Sequence, residues 1–108
     1  MATALWSREA REDLRAIFLH IGRQDQRPTT AAKTAREIKD KSDEYASHFA
    51  AGNFTGTHRP ELGVNYRVFT HKRWVVVFRP IRQGIEVMRV LDGARDFPTL
   101  FGGWPDTP

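Results

Sequence analysis

Residues 64–91 read VNYRVFTHKRWVVVFRPIRQGIEVMRVL. Three apolar, β-branched and aromatic runs stand here, at 64–71, 74–81 and 85–91, parted by His71-Lys72-Arg73 and Arg82-Gln83-Gly84. Links that short make hairpins, so the stretch is predicted to be a three-stranded antiparallel meander. Pro80 is expected near a strand end, because it cannot donate to a ladder. Alternation puts Tyr66, Val68 and Thr70 on one face and Arg67 and Phe69 on the other. In the last run it groups Ile85, Val87, Arg89 and Leu91 against Glu86, Met88 and Val90. A charge such as Arg89 on a largely apolar face needs a partner, and Asp92 or Asp96 is expected to supply it.

Upstream the period changes. Residues 3–6 read as a short strand, and Ser7 as the cap of a helix whose face carries Ala10, Leu14, Ile17, Phe18 and Ile21, with Gly22 as its stop. A second helix is expected from Pro28-Thr29-Thr30, since proline suits a first turn. Its stripe is Ala31, Ala35, Ile38, Ser42, Tyr45 and Phe49, and Gly52 ends it. Two helices joined by a short connection pack as a hairpin. Residues 52–63 are turn-rich. The order is strand, helix, helix, then three strands: an α+β fold in which the helical hairpin covers one face of an antiparallel sheet. Residues 1–101 are read as one domain and 102–108 as a loose tail.

The chain has 108 residues, 40% of them hydrophobic and 28% charged, as expected of a soluble domain. No apolar run approaches the ~20 residues of a membrane span, and the N-terminus lacks the apolar region of a secretory signal. There is no cysteine, which removes disulfides, thiolate metal sites and a thiol nucleophile and fits a cytoplasmic protein. The net charge is +4. Residues 1–62 hold ten Lys/Arg against nine Asp/Glu, a net of +1, whereas 63–108 hold seven against four, a net of +3. An excess of that kind suits an anionic partner, nucleic acid or an acidic protein.

His20, His48, His58 and His71 have no metal-ligand spacing, and no phosphate-binding glycine motif or serine nucleophile elbow occurs. No metal and no cofactor is expected. Metal-free RNA cleavage would need a base, an acid and cations at the phosphate. Arg67, Arg73, Arg89 and Arg95 offer the cations, but the proton-transfer groups would have to be His71, Tyr66 or Glu86, and His71 lies at a hairpin tip far from Arg95.

The stretch RVLDGARDFPTLF (89–101) resembles the closing strand and tail of ParE-type toxins, and RPELGVNYRVF (59–69) resembles the loop and strand before their central hairpin. Over about residues 3–101 the chain is similar to the RelE/ParE superfamily of type II toxin–antitoxin systems. That resemblance implies one of two activities: ribosome-dependent cleavage of messenger RNA, or poisoning of DNA gyrase. Arg95 matches an arginine that the nucleases use on the phosphate. Phe101 falls where they tend to carry tyrosine, and Phe69 where they tend to carry a basic residue. Both departures favour the ParE branch. The resemblance then implies a non-enzymatic inhibitor of DNA gyrase with a ParD-like acidic antitoxin, touching DNA only indirectly and no membrane. Arg67, Arg89, Arg95, Asp96, Phe97 and Phe101 are the expected target- or antitoxin-binding residues. The competing reading is a messenger-RNA endonuclease. A third is a co-repressor that has lost toxicity.

Overall fold

The structure is a computed structural model. It describes residues 2–24 and 28–93, with side chains over the same ranges apart from 21–24 and 28. The expected tail at 102–108 and the residues from Ala94 onward lie outside that range.

The elements follow the predicted order with one addition. Strand β1 spans Leu5–Trp6, helix α1 Arg8–Gln24 and helix α2 Pro28–Ala50. Strand β2, Thr57–His58, lies in the stretch read as turns, followed by a 3₁₀ turn at Pro60–Leu62. Then come β3 (Arg67–His71), β4 (Trp74–Ile81) and β5 (Gly84–Asp92). The sheet order is β1-β5-β4-β3-β2. It is mixed rather than wholly antiparallel: β1 runs parallel to β5, Leu5 opposite Glu86 and Trp6 opposite Val87. A two-residue strand carries too little pattern to reveal its direction.

Helix α1 starts where Ser7 predicts. Its Oγ accepts from the Ala10 amide at 3.0 Å, relieving a free first-turn donor. The same hydroxyl donates to the Met88 carbonyl at 2.9 Å, and the Ser7 amide donates to the Val87 carbonyl at 2.9 Å. One residue therefore caps the helix and ties it to the last strand. Gly22 does not stop α1, which continues to Gln24. Helix α2 closes at Gly52 as expected: φ is +85° there, the Gly52 amide reaches the Phe49 carbonyl at 3.0 Å, and the Asn53 amide reaches His48 at 2.8 Å.

The core lies between the helices and one sheet face. Phe78 is its centre, fully buried, edge-on to Phe49 at 5.5 Å and to Tyr45 at 5.6 Å. Tyr45 stacks on Phe69 at 4.4 Å. Burial pushes the Tyr45 hydroxyl above its ordinary pKa, with Glu44 adding to the shift, so it stays neutral near pH 7. Ile38, Ala46, Ile85, Val76 and Val87 fill the rest. Gly84 sets how closely α2 approaches. A Cβ built there would meet the Ala46 carbonyl oxygen at 3.0 Å, and its φ is +149°. Val68, Val75, Val77 and Leu91 form a second buried cluster, with Leu62 and Tyr66 against it.

Pro80 stands one residue before the end of β4, opposite Ile85. The β3 ladder ends with Arg67 opposite Phe78, so no neighbouring strand asks Pro80 for a donor on that side. Arg89 faces Val77 while Val87 faces Phe78, which leaves Met88 as one extra residue in β5. This bulge reverses the alternation. Val90 joins Ile85 and Val87 in the helix-side core, and Leu91 belongs to the other cluster. The face that strict alternation assigns to Ile85, Val87, Arg89 and Leu91 together does not exist.

Candidate partner-binding surfaces

Arg89 is held by α1. Its Nε and Nη2 donate to the two Asp13 oxygens at 2.7 and 3.0 Å, and Asp13 Oδ2 also accepts from the Val90 amide at 2.9 Å. The expected partner was Asp92 or Asp96. Asp92, 3% exposed, receives Arg73, whose guanidinium lies 5.0 Å over the Trp74 ring. Asp96 lies outside the described residues, as do Arg95, Phe97 and Phe101. Asp13 carried a readable signal: it lies three residues after Ala10 and four before Ile17, an acid on an otherwise apolar stripe.

Arg67 sits elsewhere. It lies on β3, two strands from β5, and reaches the helix-side face at the end of α2. Its guanidinium is 5.7 Å from the Phe49 ring and 5.9 Å from the Phe54 ring, and Nη1 points at the Thr55 carbonyl at 3.5 Å. Arg67 and Arg89 therefore do not converge on one site.

The groups that sequence offers for proton transfer are dispersed as well. His71 Nε2 contacts Glu37 Oε1 on α2 at 2.9 Å. That hydrogen bond, with Lys72 3.5 Å from the same oxygen, holds the Glu37 carboxyl below the usual carboxylate range. Glu86 is clasped by Arg79 at 2.7 and 3.0 Å. Tyr66 packs in the second cluster, away from Arg67. Among the described residues no group of three or more His, Cys, Asp or Glu is placed to hold a metal ion. No helix there is long and apolar enough to cross a membrane.

One groove stands out. About 570 Å³ in volume, it runs along the β1 side of the helical hairpin. Ala4, Leu5, Trp6, Leu14, Phe18 and Ala35 make its floor, and Arg11, Arg15 and Lys39 its rim. The helical stripe that predicts Phe18 in the core is split. Ile17 is buried at 6%, while Phe18 is 39% exposed and faces the groove. The rim contains cations and no acid, so it suits an apolar segment that is itself acidic.

Comparison with known proteins agrees with this architecture. A family model described as the ParE toxin of the type II toxin–antitoxin system parDE matches residues 4–97. Among solved structures, a chain of the chromosomal ParDE toxin–antitoxin system from P. aeruginosa is similar, with 25% sequence identity and a TM-score of 0.64. The match covers 83% of this chain and 94% of that one. A search of curated proteins finds no match. With almost its whole length matched by that model, and with the helical hairpin on its five-stranded sheet, the chain belongs to the ParE toxin family of type II toxin–antitoxin systems.

Proposed function

We propose that this ParE-family toxin acts by binding, inhibits DNA gyrase without chemistry of its own, and is neutralised by an acidic ParD-like antitoxin. The observation that carries the binding half is the groove, with its apolar floor and its rim of Arg11, Arg15 and Lys39. A flexible acidic antitoxin segment that orders as it enters would bury its apolar side on Trp6, Leu14 and Phe18 and meet those cations with its own charges. The non-enzymatic half is supported by the ion pairing and dispersal of Arg89, His71 and Glu86, which leaves no described constellation of cation, base and acid around one space. Gyrase as the target rests on the family alone. Both partners place the protein's action inside the cell.

The test is gyrase supercoiling with purified protein and ATP, scored for linear plasmid. Linear DNA that accumulates in proportion to the toxin and disappears when the antitoxin is added is the expected result. Unchanged supercoiling at several-fold molar excess, together with cleavage of translated messenger RNA in growth-arrested cells, overturns it.

A further inference from the structure

The β2 edge of the sheet carries a second set of features that the groove does not use. Arg67 is, among the described residues, the one strand arginine without a carboxylate: Arg79 has Glu86 and Arg89 has Asp13. It is half-buried, with the Phe49 and Phe54 rings 5.7 and 5.9 Å from its guanidinium and the Thr55 carbonyl 3.5 Å from Nη1. A guanidinium partly withdrawn from water without an opposite charge leaves strong donors under-used. Phe54, stacked on Phe49 at 4.9 Å, presents its other side to solvent and is 62% exposed. A further polar atom of the residue that Arg67 points at, Thr55 Oγ1, is shielded from solvent and has no hydrogen-bond partner. Beside it β2 is the terminal strand of the sheet, with Thr57 and His58 both exposed, so among the described residues no strand pairs with its outer edge.

From these features the geometry points to a second docking surface, centred on Arg67 and Phe54, for an extended acidic segment of the toxin's protein target. Such a segment would add along the β2 edge, set a carboxylate on Arg67 and lay an apolar side chain on Phe54. The open strand edge favours protein over nucleic acid, which has no use for it. The groove lies beyond β1, at the opposite end of the strand order, four strand spacings or about 19 Å away. An antitoxin segment lodged there leaves the β2 edge free, so neutralisation and target engagement are separable at the level of single residues.

This inference rests on the toxin reading and goes beyond it in assigning the target-facing residues. The test compares the full chain with Phe54→Ser, Arg67→Gln and the control Arg82→Gln, which removes an exposed charge at the β4–β5 turn. Each is induced in cells and scored for growth arrest. The purified proteins are checked for thermal unfolding and for affinity to the antitoxin. Phe54→Ser and Arg67→Gln are expected to weaken arrest about tenfold or more, as loss of an anchor residue does. Arg82→Gln, and the antitoxin affinity of all three, should stay near the parent's. Unchanged arrest by both edge variants overturns the inference. So does a parallel loss of antitoxin affinity, which gives the edge to the antitoxin. So does a single-stranded DNA oligonucleotide that the parent binds and Arg67→Gln releases. A parent that arrests growth without inhibiting gyrase removes only the gyrase assignment, and the growth comparison still decides the edge. A parent that does not arrest growth removes the toxin reading and this inference together.

Discussion

Asp13 on α1 grips Arg89 on β5 with both carboxylate oxygens and, through one of them, also satisfies the Val90 backbone amide. The strand β1 that pairs with β5 ends at Trp6, opposite Val87, so among the described residues the amides of β5 beyond the bulge have no ladder on that side. Asp13 does for Val90 what a longer β1 would have done. The pair is therefore part of how the sheet edge is closed.

The first prediction separates those two tasks. Asp13→Ala strips a partner from Arg89 and from a backbone donor, and should cost about 2–3 kcal/mol of stability. Arg89→Ala leaves the Val90 bond intact and should cost about 1 kcal/mol, since the pair is partly exposed. Denaturant unfolding of both single variants and the double variant reads the difference. Equal losses in the two single variants would mean that the amide contact contributes nothing.

Much of the architecture is legible in residue order because its signals are local. The two-residue links Lys72-Arg73 and Arg82-Gln83, the cap at Ser7 and the glycine at position 52 each settle a boundary through a few neighbouring atoms. The candidate site was less legible for a physical reason. The Met88 bulge is a property of pairing between strands, and no alternation within β5 announces it. Once the parity changes, the face that alternation gives to Ile85, Val87, Arg89 and Leu91 breaks up, with Val90 on the helix side and Leu91 in the other cluster. β2 escaped because two polar residues, Thr57 and His58, carry no apolar period. Asp13 was within reach, as an acid on the apolar stripe of α1. Arg95, Asp96, Phe97 and Phe101 lie outside the described residues, and their part in binding is what the resemblance implies.

Gly84 gives the second prediction. Both its φ of +149° and the 3.0 Å approach of the Ala46 carbonyl to a built Cβ oppose any side chain there. The obstructing atoms are the backbone and Cβ of Ala46 in α2, none of which can swing aside. Gly84→Val should therefore destabilise the fold by about 2–4 kcal/mol, combining backbone strain with overpacking. Thermal unfolding measures it. A variant with unchanged melting would show that α2 lifts off the β4–β5 turn at no cost.

Glu37 ties α2 to the β3–β4 turn and gives a pH-dependent prediction. Its carboxyl is held below the ordinary range, first by the His71 hydrogen bond and then by Lys72. A depressed carboxylate pKa adds stability above the unfolded value, and that stability is lost as pH falls through the folded value. Part of the decline in melting temperature between about pH 5 and about pH 3 should thus belong to Glu37. In Glu37→Gln that decline should be shallower, with a lower melting temperature at pH 7. The residue is exposed enough for the effect to be small and reduced by salt. Parallel curves for the two proteins would rule the linkage out.

The groove gives the last prediction. Its rim cations and its floor should act on different rate constants of antitoxin binding. Arg15→Glu and Lys39→Glu reverse charges that steer an acidic segment, so they should slow association about tenfold at low salt and flatten its dependence on ionic strength. Phe18→Ser removes apolar contact made after encounter and should speed dissociation about tenfold or more with little change in association rate. Phe18 is already 39% exposed in the free chain, so its loss should barely change stability. Surface plasmon resonance with the immobilised antitoxin, across a salt series, resolves the two classes. If all three variants bind with the parent's kinetics, the antitoxin does not enter the groove between β1 and the helical hairpin.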